Sequence, residues 1–181
     1  GDTLEEFHEV MGENLESIPN ELMTDLPRDE EGMNISLANS AWIDQKLTAD
    51  KDWLALADSV YKAEVYQTSL ATQSAMQDIN TWINKNTQGL IPKLLDKPLG
   101  EQARLALFNT IYFKGKWRNS FTAESTSERD FTKEDGTIEK VEMMQMHREK
   151  QQYVKSDIAE GVILPYMDED MVFVALKPVE D

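Results

Sequence analysis

Apolar and polar positions along the chain predict helices and strands in alternation. The first segment predicts a helix whose apolar residues recur at helical spacing: Leu4, Phe7, Met11 and Leu15. Pro19 should end this helix, because the residue before a proline is biased away from helical backbone. Residues 17–34 then predict a long polar loop. Residues 35–43 predict a strand covered on both faces, since small and apolar residues fall on both parities.

A short helix, an edge strand and a second amphipathic helix are predicted next. The short helix begins at Thr48 or Asp50, and residues 63–66 alternate as an edge strand would. Ser74 and Gln77 form a capping box for a helix over residues 74–86. Gly89 ends that helix. Its buried stripe is Met76, Ile79, Trp82 and Ile83.

The strand predicted over residues 104–113 stands out because its first half is apolar on both parities. That pattern indicates a central strand buried on both faces. Asn109 interrupts the apolar run, and a buried amide needs partners, so we expect it to bond a neighbouring element. The residues of this strand are Arg104, Leu105, Ala106, Leu107, Phe108, Asn109, Thr110, Ile111, Tyr112 and Phe113.

The last part of the chain predicts short strands joined by turns. Asp135 and Gly136 make a hairpin turn between strands at residues 129–132 and 137–140. Together with the helices, these strands indicate an α+β fold in one domain over residues 1–181. Further strands are predicted at residues 141–146, 152–154, 162–166 and 171–176, with an acidic turn at 167–170.

Composition narrows the partners. The 181 residues carry a formal net charge of -16, so we expect no binding to nucleic acid or to heparin-like polyanions. The chain has no cysteine, which excludes a thiol nucleophile, a disulfide framework and a thiolate metal site. No apolar run approaches the roughly 18–20 residues of a membrane helix, so we expect no membrane partner.

The residue pattern gives catalytic and metal sites little support. The two histidines, His8 and His147, show no triad pattern, and no G-x-S-x-G nucleophile elbow occurs. The acidic turn with Asp168, Glu169 and Asp170 lacks the spacing of a calcium loop, so a solvated turn is the better interpretation. We therefore predict no enzyme activity, no cofactor and no metal.

Four blocks of the sequence resemble the serpin family of protease inhibitors, in the family's order. The first, at residues 36–42, reads Ser-Leu-Ala-Asn-Ser-Ala-Trp. The second reads Ile-Asn-Thr-Trp at 79–82 and continues as Thr-Gln-Gly-Leu-Ile at 87–91. The third, at 109–117, reads Asn-Thr-Ile-Tyr-Phe-Lys-Gly-Lys-Trp and is closely similar to a hallmark motif of the family.

The fourth block completes the resemblance. It joins Val-Glu-Met-Met at 141–144 with Leu-Pro-Tyr at 164–166 and Met-Val at 171–172. The resemblance implies a partial serpin fold, with mixed sheets and with helices packed on the main sheet. Its parts would be helix D, strands 2, 1 and 3 of sheet A, helices E and F, and strands of sheets C and B.

The resemblance also implies a mechanism. In serpins a protease cleaves an exposed reactive loop, which then inserts into sheet A as an extra strand. Residues 104–113 would border the insertion gap, with Asn109 in the polar shutter and Trp117 at the breach where the loop enters. The helix with Ile79, Asn80 and Trp82 would cover the sheet and shift during insertion. From the residues alone, Asn109 also fits a satisfied core amide and Trp117 a packing tryptophan.

The resemblance covers about half of a serpin. We expect this segment to lie inside a longer chain, to lack the reactive loop and not to inhibit by itself, so that only the parent binds a target protease. The parent would be a suicide-type inhibitor of serine or cysteine proteases. The alternative is a non-inhibitory serpin that acts as a carrier, chaperone or structural protein. Family habit places it outside the cell, with a cytoplasmic location as the alternative.

Two further expectations concern partners. Some serpins bind heparin through basic residues on helix D, but the matching helix here is acidic, so we expect no heparin activation. The strand at 104–113 would present a long apolar edge, so we expect the segment to self-associate through exposed sheet edges. The acidic residues of the helix are Glu5, Glu6, Glu9, Glu13 and Glu16.

Overall fold

The computed structural model describes Glu9 and residues 17–146, 152–168 and 170–179. The helices are α1 (Ser17–Asp25), α2 (Lys51–Ser59) and α3 (Gln73–Asn86). The strands are β1 (Arg28–Glu30), β2 (Met33–Asp44), β3 (Ala63–Thr68), β4 (Leu105–Gly115), β5 (Thr126–Thr132), β6 (Ile138–Met144), β7 (Gln152–Lys155), β8 (Ala159–Pro165) and β9 (Val172–Pro178). This mixture confirms the α+β class. Among the described helices, the longest has 14 residues, and none combines the length and apolarity of a membrane span.

The chain divides into two compact units. The first comprises Gly1–Glu30 and Asn34–Phe113, and the second comprises Glu31–Met33 and Lys114–Asp181. The helix predicted over the first residues lies outside the described part of the chain, apart from Glu9, which is helical.

The sheet of the first unit is built around the long strand β2. Strand β3 pairs with it in parallel, from Asn39 opposite Ala63 to Asp44 opposite Thr68. Strand β4 pairs with β2 as well. The Asp44 amide donates to the Arg104 carbonyl, and the Thr110 hydroxyl lies 3.5 Å from the Ala38 carbonyl, as in antiparallel strands. The stretch of β2 that pairs with β3 therefore also faces β4 across its other edge.

Helix α3 packs on this sheet through the core of the unit. The core cluster contains Trp42, Leu70, Ile79, Trp82 and Ile83, and Ala106 and Phe108 of β4 pack against it. The helix is capped two residues before the predicted capping box: the Thr72 side chain accepts from the Ala75 amide at 3.2 Å. The prediction of Ser74 as the cap was wrong because Thr72, which has extended backbone, offers the same kind of hydroxyl oxygen two residues earlier.

The segment predicted as a loop over residues 17–34 contains regular structure. Helix α1 begins at Ser17, so Pro19 lies in its first turn. Proline is tolerated there because the first amide groups of a helix have no intrahelical acceptor. Pro19 therefore does not end the helical pattern, and β1 and the start of β2 follow α1.

The second unit contains a hairpin and a three-stranded antiparallel sheet. The predicted turn at Asp135 and Gly136 is confirmed, since it joins β5 to β6 and Gly136 has a φ of 79°. The strands predicted at 137–140 and 141–146 are one strand, β6. In the other sheet β8 lies between β7 and β9. A Cβ on Gly161 would lie 2.0 Å from the Ala175 carbonyl oxygen, so the close pairing of β8 and β9 requires glycine there.

Candidate functional site

Strand β4 is covered on one face only. Ala106 and Phe108 pack on the core, and Thr110 is buried, whereas Leu107 and Ile111 are 63% and 64% exposed. In the described part of the chain no element covers the face that carries Leu107 and Ile111. The strand itself is confirmed, but the prediction that both of its faces are buried was wrong for this chain. Apolar residues on both parities indicate that either face of the strand can be covered, and among the described residues only the face with Ala106 and Phe108 is.

The structure places the ten residues predicted to border the insertion gap along one strand and the residue before it. Arg104 directly precedes β4, and its carbonyl accepts from the Asp44 amide. Among the described residues, the hydrogen-bonded neighbour of β4 is β2, and the other edge of β4 has no strand beside it. The other nine residues lie on β4: Leu105, Ala106, Leu107, Phe108, Asn109, Thr110, Ile111, Tyr112 and Phe113.

Asn109 belongs to a polar chain that crosses the sheet. Its side-chain amide donates to Asn39 Oδ1 of β2 at 2.8 Å. The Asn39 Nδ2 in turn donates to the Tyr61 carbonyl at 2.7 Å, in the segment that leads into β3. The predicted bond from Asn109 to a neighbouring element is confirmed. The prediction that Asn109 is buried was wrong, because its side chain lies on the open face of β4.

Helix α3 is fixed to the chain that follows it by Asn80. The Asn80 Oδ1 accepts from the amides of Leu94 at 2.9 Å and Leu95 at 2.8 Å, and its Nδ2 donates to the Leu95 carbonyl at 2.9 Å. Ile79 is fully buried beside it. The middle of α3 and the segment between α3 and β4 are therefore joined by one side-chain amide.

Glu64 of β3 accepts hydrogen bonds from two aromatic side chains. Its Oε1 accepts from the Trp82 indole N–H at 2.9 Å, and its Oε2 accepts from the Tyr66 hydroxyl at 2.5 Å. These bonds, that from Tyr66 first, lower the pKa of Glu64. The same contact raises the pKa of Tyr66 to about 12. The Tyr66 ring also stacks on Trp42, with ring centroids 4.2 Å apart.

Trp117 lies in an aromatic cluster of the second unit. Its ring stacks on Tyr166 with centroids 4.5 Å apart and meets Phe173 edge-on at 5.8 Å. A backbone bridge also joins Trp117 to Tyr166. Trp117 is half-buried, so the structure provides the packing role that the residues alone allowed.

Sequence reasoning did not assign a role to Asn39, Glu64 or Tyr66. Asn39 lies inside a block that carries the family resemblance. A strand asparagine in that block could have been predicted as the partner of Asn109. Glu64 and Tyr66 share one face of β3 because they are two residues apart. Nothing local in the sequence indicates that this face meets Trp82.

Of the residues weighed for other chemistry, only part lies in the described chain. His8, His147 and Glu169 lie outside the described residues. In the acidic turn the Asp168 carboxylate accepts from the Asp170 amide, as a simple turn does. No cluster of three or more potential metal ligands occurs within residues 17–146, 152–168 and 170–179.

Comparison with known proteins identifies the family. The family model described as "Serpin (serine protease inhibitor)" matches residues 1–181. The chain belongs to the serpin family. This match confirms the resemblance carried by the four blocks. Members of the serpin family are protease inhibitors, not enzymes.

Individual serpins match over most of this chain. An alpha-1-antitrypsin-like protein from Tamias sibiricus is 38% identical over 68% of the chain, and Serpin-Z10 from Arabidopsis thaliana is 32% identical over 80%. The native-state structure of the thermophilic serpin tengpin superimposes with a TM-score of 0.85 at 29% identity, over 99% of the chain. These matches span 30%, 39% and 47% of the respective relatives, so the chain covers less than half of the length of each.

Proposed function

We propose that the full-length protein is a suicide-type inhibitor of serine or cysteine proteases. In this proposal its reactive loop inserts into the main sheet beside β4. The observation that carries the proposal is the edge of β4 away from β2: among the described residues no strand lies beside it, so one more strand can pair there. Backbone pairing and burial of apolar side chains drive such an insertion.

The chemistry is carried by the protease, and the inhibitor interrupts it. The nucleophile of the protease attacks the scissile carbonyl, the peptide C–N bond breaks, and the new amine leaves with a proton. The loop remains attached to the protease as an acyl-enzyme. Insertion beside β4 then moves the protease and distorts its site, so that water does not complete deacylation. The native fold must therefore be kinetically trapped before cleavage.

We assign the other parts of the mechanism on the same basis. Asn109, with Asn39, forms the shutter, since its bond holds β4 and β2 together at the middle of the sheet. Trp117 belongs to the breach, and α3 is the helix that shifts on insertion. Tengpin has been solved in native and latent states, and this chain superimposes on both, with TM-scores of 0.85 and 0.84. That relative supports a conformational change for this family member.

The test is complex formation by the full-length protein. We expect a complex that survives denaturing electrophoresis with at least one member of a panel of serine and cysteine proteases. The control is the same protein with its reactive loop already cleaved, which should form none. The absence of a complex with every protease would falsify the inhibitory proposal and favour a carrier, chaperone or structural role. We also propose that the full-length protein is secreted. Residues 1–181 would form part of one domain in it.

A further inference from the structure

The Glu64 carboxylate joins the edge strand β3 to the helix α3. Its two oxygens have different partners, one on each element: Tyr66 lies on β3, and Trp82 lies on α3. Glu64 is exposed, whereas Trp82 is 5% exposed, so a surface carboxylate holds a buried indole. An ionised carboxylate only accepts, and both of its oxygens are used here.

The surroundings of Glu64 fix the geometry of this contact. Tyr66 cannot swing away easily, because its ring stacks on Trp42 at 4.2 Å. A groove beside the contact is lined by Asp78, Thr81, Trp82 and Lys85 of α3. Lys85 is the basic side chain of this groove and favours the charged form of Glu64. The contact therefore combines two charge-assisted hydrogen bonds with a rigid aromatic support.

We propose that Glu64 is a positioning residue that holds α3 on the sheet, so that breaking its bond to Trp82 contributes to the barrier for strand insertion. This inference rests on the proposed function and deepens it. The core contacts of Ile79 and Ile83 are non-directional and survive a small slide of the helix. A hydrogen bond weakens steeply with misalignment, so the bond from Trp82 resists that slide from the start.

The experiment compares variants of the full-length protein. Glu64→Ala removes both acceptors, Glu64→Gln keeps the shape and one acceptor, and Asp78→Asn removes an exposed carboxylate from the same groove. The measurement is the rate at which a synthetic peptide with the sequence of the protein's own reactive loop enters the sheet. We expect Glu64→Ala to raise this rate about tenfold, as the loss of a charge-assisted bond implies. Glu64→Gln should insert the peptide at a rate close to that of the wild type, because it keeps one acceptor. Asp78→Asn should stay within about twofold of the wild-type rate.

A double-mutant cycle keeps the inference separate from the proposed function. Glu64→Ala, Trp82→Phe and their combination are compared in the free energy of unfolding, which needs no protease and no insertion. Non-additive effects support the contact, and additive effects overturn it. If Trp82→Phe fails to fold, hydrogen exchange of the α3 amides is compared between Glu64→Ala and Asp78→Asn instead. Equal protection of these amides in the two variants overturns the inference. If the wild type neither takes up peptide nor inhibits, the proposed function fails while the cycle still decides the role of Glu64.

Discussion

Asn109 on β4 donates its side-chain amide to Asn39 on β2 at 2.8 Å, across 70 residues of sequence. Asn39 passes the connection on to the Tyr61 carbonyl, next to β3. One chain of side-chain bonds thus ties β4 to β2 and to the segment before β3. This arrangement makes Asn109 a direct test of how tightly β4 is held to β2.

Asn109→Ala should lower the free energy of unfolding by about 0.5–1.5 kcal/mol, the usual net worth of one hydrogen bond. Chemical denaturation of the purified chain measures it. Asn39→Ala and the double variant complete a cycle. Effects of the two single changes that simply add would show that the bond carries no coupling between β4 and β2.

Ile79→Ala should be strongly destabilising because Ile79 is fully buried in the core under α3. A loss of about 2–5 kcal/mol is expected from removing a core aliphatic side chain and leaving a cavity. Thermal or denaturant unfolding checks it. Ile158→Ala is the matched control, since Ile158 is 79% exposed and should change stability by less than about 0.5 kcal/mol.

Gly161→Ala should disrupt the pairing of β8 and β9. The added methyl group would meet the Ala175 carbonyl oxygen at 2.0 Å, and a backbone atom cannot give way without separating the strands. Hydrogen exchange of the β8 and β9 amides measures the loss. Gly100→Ala has nothing within 4 Å of the new methyl group and should leave exchange unchanged. Equal protection in both variants would contradict the packing described for this sheet.

Asp44 predicts a pH dependence of stability. The amide of Lys46, first, and that of Leu70 donate to its carboxylate and hold its pKa below the ordinary value of 3.8. Asp44 therefore contributes stability that is fully present above that value and is lost as the pH falls through its lower folded pKa. Thermal midpoints between pH 7 and pH 2 should fall less steeply for Asp44→Asn than for wild type. Asp58→Asn, an exposed change on α2, should follow the wild-type curve.

The free edge of β4 should make this chain self-associate. We expect a dimer or larger species in sedimentation velocity at high concentration, because the edge of β4 away from β2, which has no strand beside it in the described part of the chain, can pair with a second copy. Leu107→Lys combined with Ile111→Lys should abolish it, since edge lysines oppose pairing. Ile138→Lys, at a similarly exposed position on β6, should not. A monomer at every concentration would refute this expectation.

Most strands and helices followed from local patterns, except that α1 and β1 lie where residues 17–34 predicted a loop. Which faces of the strands are covered did not follow from local patterns. The first half of residues 104–113 is apolar on both parities, a pattern that predicts a strand, and the structure confirms one. Which face of that strand is covered depends on elements far away in sequence, so the burial of Asn109 was mispredicted. The cap of α3 failed for a local reason, because Thr72 and Ser74 offer equivalent oxygens and only the backbone decides between them.

The sequence predicted the part of the candidate site that depends on the pattern of a single strand. It did not predict the contacts that depend on how one strand pairs with another. Asn109 and its need for a partner could be seen from the sequence. The stack of Tyr66 on Trp42 arises because β3 pairs in parallel with β2 at one register. A shift of one residue would turn Tyr66 to the other face, and the sequence contains no local record of that register.

The open side of β4 stands on a molecule whose 34 acidic side chains outnumber 18 basic ones. Two copies that approach edge to edge must therefore overcome electrostatic repulsion. Salt screens this repulsion, whose range falls to about 10 Å at an ionic strength of 0.1 M. Dilute buffer should keep the copies apart, and concentrated salt should let them meet. The ionic strength of the solution should therefore control how much of the chain self-associates through β4.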